Sequence, residues 1–237
     1  MKEDNKIIKQ ENQKLNDENF KLKEEIKIIK NEIKNLTNII KINNNSFKKD
    51  LVSLKNNNLL NSIDSTIMKK NEFDMIYSAI KERMNKEIKK LYQATKDGDD
   101  SKIFHKLCDG IPNTLVLYKS AGNRRFGGFA SQCWKTGDGV IPDENCFLFS
   151  LDKKKIYYPK NKYLKLVTNS YDGPSFTDYK GIYIIEIYKN ALKGKDLRTN
   201  EIDFKYIFCG DENALSEDGN YNGVYAKEYE VFQIIFE

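Results

Sequence analysis

Apolar side chains return at every seventh position through the first part of the chain. They are Ile8, Leu15, Leu22, Ile29 and Leu36. If these residues occupy position d of a heptad, position a holds Asn5, Asn12, Asn19, Ile26, Ile33, Ile40 and Phe47. A sustained a/d pattern predicts a coiled coil, which we expect over residues 1–50. Isoleucine at a with mostly leucine at d favours two parallel helices, and asparagine at a lowers stability while fixing the register.

The charges beside this stripe agree with a parallel pair. Acidic residues fill position g and lysines dominate position e, so that Glu18 would face Lys23 of the partner helix and Glu25 would face Lys30. We therefore predict a parallel homodimer. Its dimerisation residues are Asn12, Leu15, Asn19, Leu22, Ile26, Ile29, Ile33, Leu36 and Ile40. A higher-order coil and a single helix folded back on the body stay open as alternatives, although a helix on a globule usually shows a wider apolar face.

Charge is distributed unevenly along the chain. The whole sequence has a net charge of +5, and the first 70 residues account for this excess. Positive and negative charges are balanced in the remainder, which argues against a dedicated nucleic-acid-binding surface there. No apolar run approaches the roughly 18–20 residues of a membrane span, and no secretory signal is visible. We expect no membrane insertion and a cytoplasmic location, with the nucleus as the alternative.

The a and d residues form the contact line of the predicted coiled coil, which we call the seam. The seam weakens after Phe47, and residues 43–62 are rich in asparagine and serine. We predict a hinge or frayed helix over residues 51–70. A second apolar spacing from Phe73 to Leu91 predicts an amphipathic helix over residues 71–97, stopped by Asp97-Gly98. A folded body over residues 98–237 follows.

Short apolar segments separated by glycine, asparagine and aspartate turns dominate this body. A short helix is predicted from Asp100-Ser101 to Cys108. The predicted strands are Leu115–Tyr118, Phe126–Ala130, Cys146–Leu151, Ile156–Tyr158, Tyr163–Thr168, Ile182–Tyr188, Phe204–Cys209 and Tyr225–Phe236. This pattern is typical of antiparallel sheets packed as a sandwich. The fold class is therefore α+β: a coiled-coil helix, then an antiparallel two-sheet β-sandwich with short flanking helices.

Five motifs occur in order in this body. They are Phe104-His-Lys-Leu-Cys-Asp109, Phe126-Gly-Gly-Phe-Ala-Ser-Gln-Cys-Trp134, Phe147-Leu-Phe-Ser-Leu151, Tyr171-Asp-Gly-Pro-Ser-Phe176 and Glu228-Tyr-Glu-Val-Phe232. The glycine pair Gly127-Gly128, between two phenylalanines, lets two backbones approach where side chains would otherwise collide. It lacks the spacing of a phosphate loop.

Together these motifs resemble the TLDc domain of oxidation-resistance proteins. The resemblance covers roughly residues 100–237 and departs from the family pattern at residues 177–193, where similar proteins carry a glycine-rich stretch. It implies a two-sheet sandwich, a role in resistance to oxidative stress and, as in some members, binding to the vacuolar proton pump and promotion of its disassembly. It implies no established catalytic centre and no cofactor.

Glu228 and Glu230 are the most notable charged pair of the body. They lie on one face of a strand, because strand side chains alternate, and Phe232 continues that face. The pair is a candidate acid/base site, a structural site in which one buried glutamate binds backbone amides or Arg124 or Arg125, or an acidic contact for a partner. We assign Glu228, Glu230, Arg124 and Arg125 as candidate partner-binding residues.

Other candidate chemistry rests on few residues. His105 is the only histidine and shares a helix face with Cys108; we favour a packed or capping histidine over a catalytic pair. Trp134 is expected in the core, and Lys153–Lys155 in a solvated turn. The four cysteines, Cys108, Cys133, Cys146 and Cys209, lack the close pairs of a zinc site. We expect no metal, no cofactor and no enzymatic activity.

Two other functions stay open. One is a nucleic-acid-binding regulator, although only four residues precede the zipper where a basic region should lie. The other is an enzyme, either hydrolytic or a thiol-based peroxide scavenger that uses Cys133 or Cys108.

Overall fold

The computed structural model describes residues 2–61, 63–80, 85–137, 139–159, 164–194, 197–199, 215 and 225–236. The chain divides into two compact units, Met1–Lys55 and Asn56–Glu237. Each unit has its own organisation.

A single helix, α1 (Lys2–Asn61), forms the first unit and continues into the second. Every described side chain from Gln13 to Phe47 is exposed. The predicted seam is exposed with the rest: Leu15 is 55% and Ile26 is 49% accessible. The predicted helix is therefore confirmed, and it extends through residues 51–61, where a hinge or frayed helix was predicted.

The body contains two antiparallel sheets. The first has six strands in the order β1-β11-β2-β3-β5-β6 and the second has five in the order β10-β9-β8-β7-β4. The first sheet is built from β1 (Asn85–Gln93), β2 (Thr114–Ser120), β3 (Arg125–Ala130), β5 (Phe147–Ser150), β6 (Lys155–Tyr157) and β11 (Ala226–Phe236). The second is built from β4 (Val140–Asp143), β7 (Leu164–Val167), β8 (Phe176–Thr177), β9 (Tyr183–Ile187) and β10 (Leu197–Thr199). The predicted strand over residues 204–209 lies outside the described residues.

The two sheets pack face to face around one hydrophobic core. Val116 and Leu148 from the first sheet and Leu166 and Ile185 from the second are fully buried in it. We call this side of the six-stranded sheet its inner face. The predicted α+β fold with a two-sheet sandwich is confirmed.

A second core covers the outer face of the six-stranded sheet. Residues 63–80, which we call the outer layer, supply Ile67, Phe73 and Ile76 to it, and the sheet supplies Leu117 and Phe149. The layer contains a 3-10 turn (Lys70–Glu72) and a short helix, α2 (Phe73–Ala79). Because this layer buries one whole face of a sheet, it belongs to the folded body, and the predicted boundary at residue 98 is too late.

The predicted helix over residues 71–97 is wrong over Asn85–Gln93, which forms β1. Among the described residues of this range, only Phe73–Ala79 and the short α3 (Ala94–Asp97) are α-helical. β1 pairs with β11 and has a register shift between Lys90 and Tyr92. The shift turns Ile88 toward the outer core and Tyr92 toward the inner one. A strand that changes faces at a bulge shows apolar residues at spacings that resemble a helix.

Gly127 and Gly128 lie in the middle of β3 and accept an aromatic ring on each face. A Cβ at Gly127 would lie 2.4 Å from Phe149 Cζ in the outer core, and one at Gly128 would lie 2.6 Å from Phe176 Cζ in the inner core. A Cβ at Gly127 would also collide with the backbone carbonyl of Val116. The predicted close approach of two backbones is therefore found at Gly127, whereas the groups that approach Gly128 are side chains.

The short helix predicted to end at Cys108 is confirmed as α4 (Ser101–Cys108). The Lys102 amide donates to Asp100 Oδ1 over 2.9 Å, which satisfies one of the free amides of its first turn. Phe104 and Cys108 are fully buried, so α4 packs on the inner core.

Candidate partner-binding surface

Glu230 lies in β11 with its side chain fully buried against the outer layer. Ser65 Oγ donates to its Oε2 over 2.5 Å, and the Thr66 amide and hydroxyl both donate to its Oε1 over 3.0 Å. Lys90 Nζ lies 3.4 Å from the same oxygen. A buried carboxylate is stable only when donors replace water, and here the donors come from residues 65–66 and from β1. Glu230 therefore fastens the start of the outer layer to the sheet.

Glu228 performs a similar task two residues earlier. Its carboxylate accepts from the Thr95 amide over 3.1 Å, from the Thr95 hydroxyl and from Gln93 Nε2 over 3.0 Å. It is 6% exposed. Glu228 therefore fixes the turn from β1 into α3. The sequence left three interpretations of this pair open: an acid/base site, a structural site and a contact for a partner. The geometry of both glutamates agrees with the structural site, because backbone amides are among their donors.

Arg125 begins β3 and joins three segments. Its guanidinium lies 2.8 Å from Glu72 Oε2 and 2.9 Å from Asp152 Oδ1, and it donates to the Ile67 carbonyl over 3.2 Å. The hydrogen bond with Glu72, followed by the one with Asp152, raises the pKa of Arg125 against the opposing effect of burial. Arg125 thus holds the part of the outer layer that contains Ile67 and Glu72. Among the described residues, no ion pair joins Arg125 to Glu228 or Glu230.

Arg124 lies just before β3, half-buried, and its amide donates to Ser120 Oγ over 3.1 Å. The four predicted residues therefore occupy β11 and the β2–β3 turn, where three of them attach the outer layer and α3 to the sheet. Direct contact of these side chains with a partner stays a prediction.

An open groove of about 570 Å³ lies along the outer layer beside these anchors. Its cationic lining residues are Lys69, Lys70, Lys119 and Arg125, and the remaining ones are Ile63, Ser65, Thr66, Ile67, Met68 and Asn123. Sequence reasoning missed this groove. The Lys69-Lys70 pair was visible, but the approach of Lys119 to it depends on how the outer layer crosses the sheet.

His105 on α4 forms a local network of its own. Nδ1 lies 2.8 Å from Asp109 Oδ1, and Nε2 lies 3.0 Å from the carbonyl oxygens of Asn169 and Asp172. Both ring nitrogens are therefore occupied by oxygen partners, and the ring connects α4 to the loop before β8. This geometry agrees with the packed histidine that we favour. It leaves neither ring nitrogen free to bind the Cys108 thiol.

The two fully buried cysteines, Cys108 and Cys146, are not activated thiols. Burial raises the pKa of Cys108 and of Cys146, so that both favour the protonated form. Cys133 is half-buried, and Cys209 lies outside the described residues. A reactive thiol needs nearby cations that lower its pKa, and the two buried thiols show the opposite.

Trp134 lies in the inner core, fully buried, as predicted. Its Nε1 donates to Thr114 Oγ1 over 2.8 Å. Lys153 and Lys154 are exposed in the turn between β5 and β6, as predicted, whereas Lys155 is the first residue of β6. Within the described ranges, no group of three or more histidine, cysteine, aspartate or glutamate side chains is placed to hold a metal ion. None of the helices described in the structure is both long enough and apolar enough to cross a membrane.

Comparison with known proteins adds one finding. The family model of the TLDc domain matches residues 61–235. The match begins where the outer layer begins, so it includes residues 63–97, which the sequence motifs did not reach. No curated protein matches the chain significantly.

Proposed function

The chain belongs to the TLDc domain family, and from this we propose that it is a non-catalytic regulatory protein that acts by binding other proteins. We propose that it works in the oxidative-stress response, with subunits of the vacuolar proton pump as partners and the cytoplasm as its location. The family match carries this proposal. The ordered motifs from Phe104 to Phe232 lie within the matched region and agree with it, and the resemblance that they define implies those roles.

We further propose that two copies pair through α1 as a parallel coiled coil. The exposed seam supports pairing: Ile33 is 57%, Leu36 59% and Ile40 59% accessible. Burying such side chains is worth about 1.5–3 kcal/mol each. A second copy of the same helix also matches the glutamates at position g with the lysines at position e. The dimer would present two bodies to one assembly, which raises avidity without new contacts.

The body's geometry is consistent with a binding role. Its buried glutamates are occupied as anchors, and both nitrogens of its one histidine have oxygen partners. The two buried thiols have raised pKa values. These arrangements stabilise the body. The proposed binding therefore uses side chains on its solvent-exposed surface.

Affinity purification of the tagged full chain tests the proposal. We expect pump subunits among the proteins identified by mass spectrometry, with and without peroxide treatment and over a range of salt concentrations. The comparison is the Glu230→Gln chain. We expect this substitution to destabilise the body, so the variant should recover smaller amounts of the pump subunits. Recovery of no pump subunit under any of these conditions would contradict the assignment of this partner.

A further inference from the structure

The groove along the outer layer carries positive charge and no negative charge among its lining residues. Lys69 and Lys70 extend from the outer layer, and Lys119 and Arg125 from β2 and β3. None of the ten lining residues is acidic. The body as a whole is nearly neutral by sequence, so this concentration of cations is local.

Two of these cations are available for a ligand. Arg125 is already paired with Glu72 and Asp152. In the part of the chain that the structure describes, neither Lys69 nor Lys119 has an ion pair or hydrogen bond through its ammonium group. Lys119 is half-buried in the groove wall, where a charge is less screened than on an open surface.

The rest of the lining mixes hydroxyl and apolar groups. Thr66 is exposed, and Ile63, Ile67 and Met68 also line the groove. These three apolar side chains are almost fully buried in the outer core, so the ligand groups that match this lining are carboxylates, which would give each cation a counter-charge. The groove volume of about 570 Å³ falls in the range of ordinary ligand sites.

We propose that this groove binds an acidic peptide segment of a partner protein, with Lys69 and Lys119 as its principal charge contacts. The proposal rests on the proposed function only in that the body binds proteins; it names the chemistry of the segment and not the partner. A nucleic acid is disfavoured because a grip on its backbone needs an extended basic surface, and the cations here are confined to one groove.

The test uses the full chain and a fluorescein-labelled peptide of four Glu-Glu-Leu repeats, followed by fluorescence anisotropy at low salt. The reference peptide has four Gln-Gln-Leu repeats. The groove variant is Lys69→Gln with Lys119→Gln. The matched control is Lys102→Gln with Lys106→Gln, which removes two exposed lysines from α4 and changes the net charge equally.

We expect the acidic peptide to bind more tightly than the neutral one. The groove variant should weaken this binding about tenfold, because it removes two partly screened charge contacts. The α4 variant should leave it within about twofold. Circular dichroism of both variants checks that the fold is kept. We expect it to be kept because neither ammonium group of the groove pair has a partner among the described residues, and the backbone hydrogen bond from Lys69 to Glu72 does not depend on the side chain.

Three results would overturn the proposal: no preference for the acidic peptide, an equal loss in both variants, or tighter binding of a twelve-nucleotide single-stranded DNA that the groove variant abolishes. None of these depends on the pump. Failure to purify pump subunits while the peptide binds would instead reject the partner and keep the groove.

Discussion

Glu230 shows how one side chain can decide the position of a whole layer. Its carboxylate is buried in β11, and hydrogen bonds from Ser65 and Thr66 reach it across 165 and 164 residues of sequence. Alternation along the strand correctly placed Glu228 and Glu230 on the face of Phe232, which lies in the outer core. The identity of their donors was not predictable, because no local pattern indicates a partner so far away in the chain.

Replacing this carboxylate should destabilise the body. Glu230→Gln replaces one carboxylate oxygen with an NH₂ donor, which would face either the Ser65 hydroxyl or the Thr66 donors, and it removes the charge beside Lys90. We expect the free energy of unfolding to fall by about 1.5–3 kcal/mol, the usual range for a hydrogen bond to a charged group. Urea unfolding followed by circular dichroism measures it.

Glu87→Gln is the matched control, because Glu87 is exposed on the neighbouring β1. It should change the free energy of unfolding by no more than about 0.5 kcal/mol. Equal effects of the two substitutions would show that Glu230 is not an anchor.

The glycine pair is a second single-residue constraint. In Gly128→Ala the new methyl group would lie 2.6 Å from Phe176 Cζ and 2.9 Å from Leu148 Cδ2. Overpacking of this kind costs about 1–3 kcal/mol, and we expect a matching loss of thermal stability by calorimetry.

Gly137→Ala serves as its control, because a Cβ there meets nothing nearer than the Thr168 carbonyl at 3.8 Å. It should be neutral, or stabilising by about 0.4–1 kcal/mol through a less flexible unfolded chain. A tolerated Gly128→Ala would mean that the sheets can separate to admit the methyl group.

Among the elements, the ones that follow simple rules were predictable. The seven-residue repeat identified α1, and continuous apolar runs identified β2, β3 and β5. β1 was taken for a helix because its bulge brings Ile88, Leu91 and Tyr92 into a helix-like spacing. β4 contains Pro142, which is unusual inside a strand and marks an edge. β8 has only two residues and leaves almost no pattern.

Shortening the chain from its N-terminus should show that the outer layer is needed to cover the sheet. A chain that begins at residue 56 keeps the layer and should stay folded. A chain that begins at residue 81 exposes the face that contains Leu117, Phe147 and Phe149. Large exposed apolar patches cause association, so this shorter chain should bind the dye ANS and aggregate.

Size-exclusion chromatography and ANS fluorescence on the two chains provide the comparison. A monodisperse, dye-silent product that begins at residue 81 would show that the outer layer is dispensable, and the boundary would then return to the later position that the sequence suggested.

At the level of the whole molecule, the main expectation is self-association through α1. Ile26→Asn with Ile33→Asn places polar groups at two adjacent a positions and should disperse the dimer at micromolar concentration. Light scattering should then report the mass of one chain, 27.6 kDa, where the unmodified chain gives twice that value.

Ile28→Asn with Ile42→Asn is the matched control, because both residues are exposed on α1 and lie outside the seam. It makes the same chemical change twice and should leave the dimer intact. If both double variants keep the unmodified mass, the heptad register is wrong; if the unmodified chain is already a monomer, the pairing itself is wrong.

The position of β11 in the sheet also has a consequence for how the protein is made. This strand lies between β1 and β2, yet Lys90 and Glu230, which meet across it, are separated by 140 residues. At ordinary rates of translation that separation takes on the order of ten seconds to synthesise. During this delay β1 and β2 have no strand between them, so we expect their unpaired edges to be open to association in the nascent chain until β11 is made.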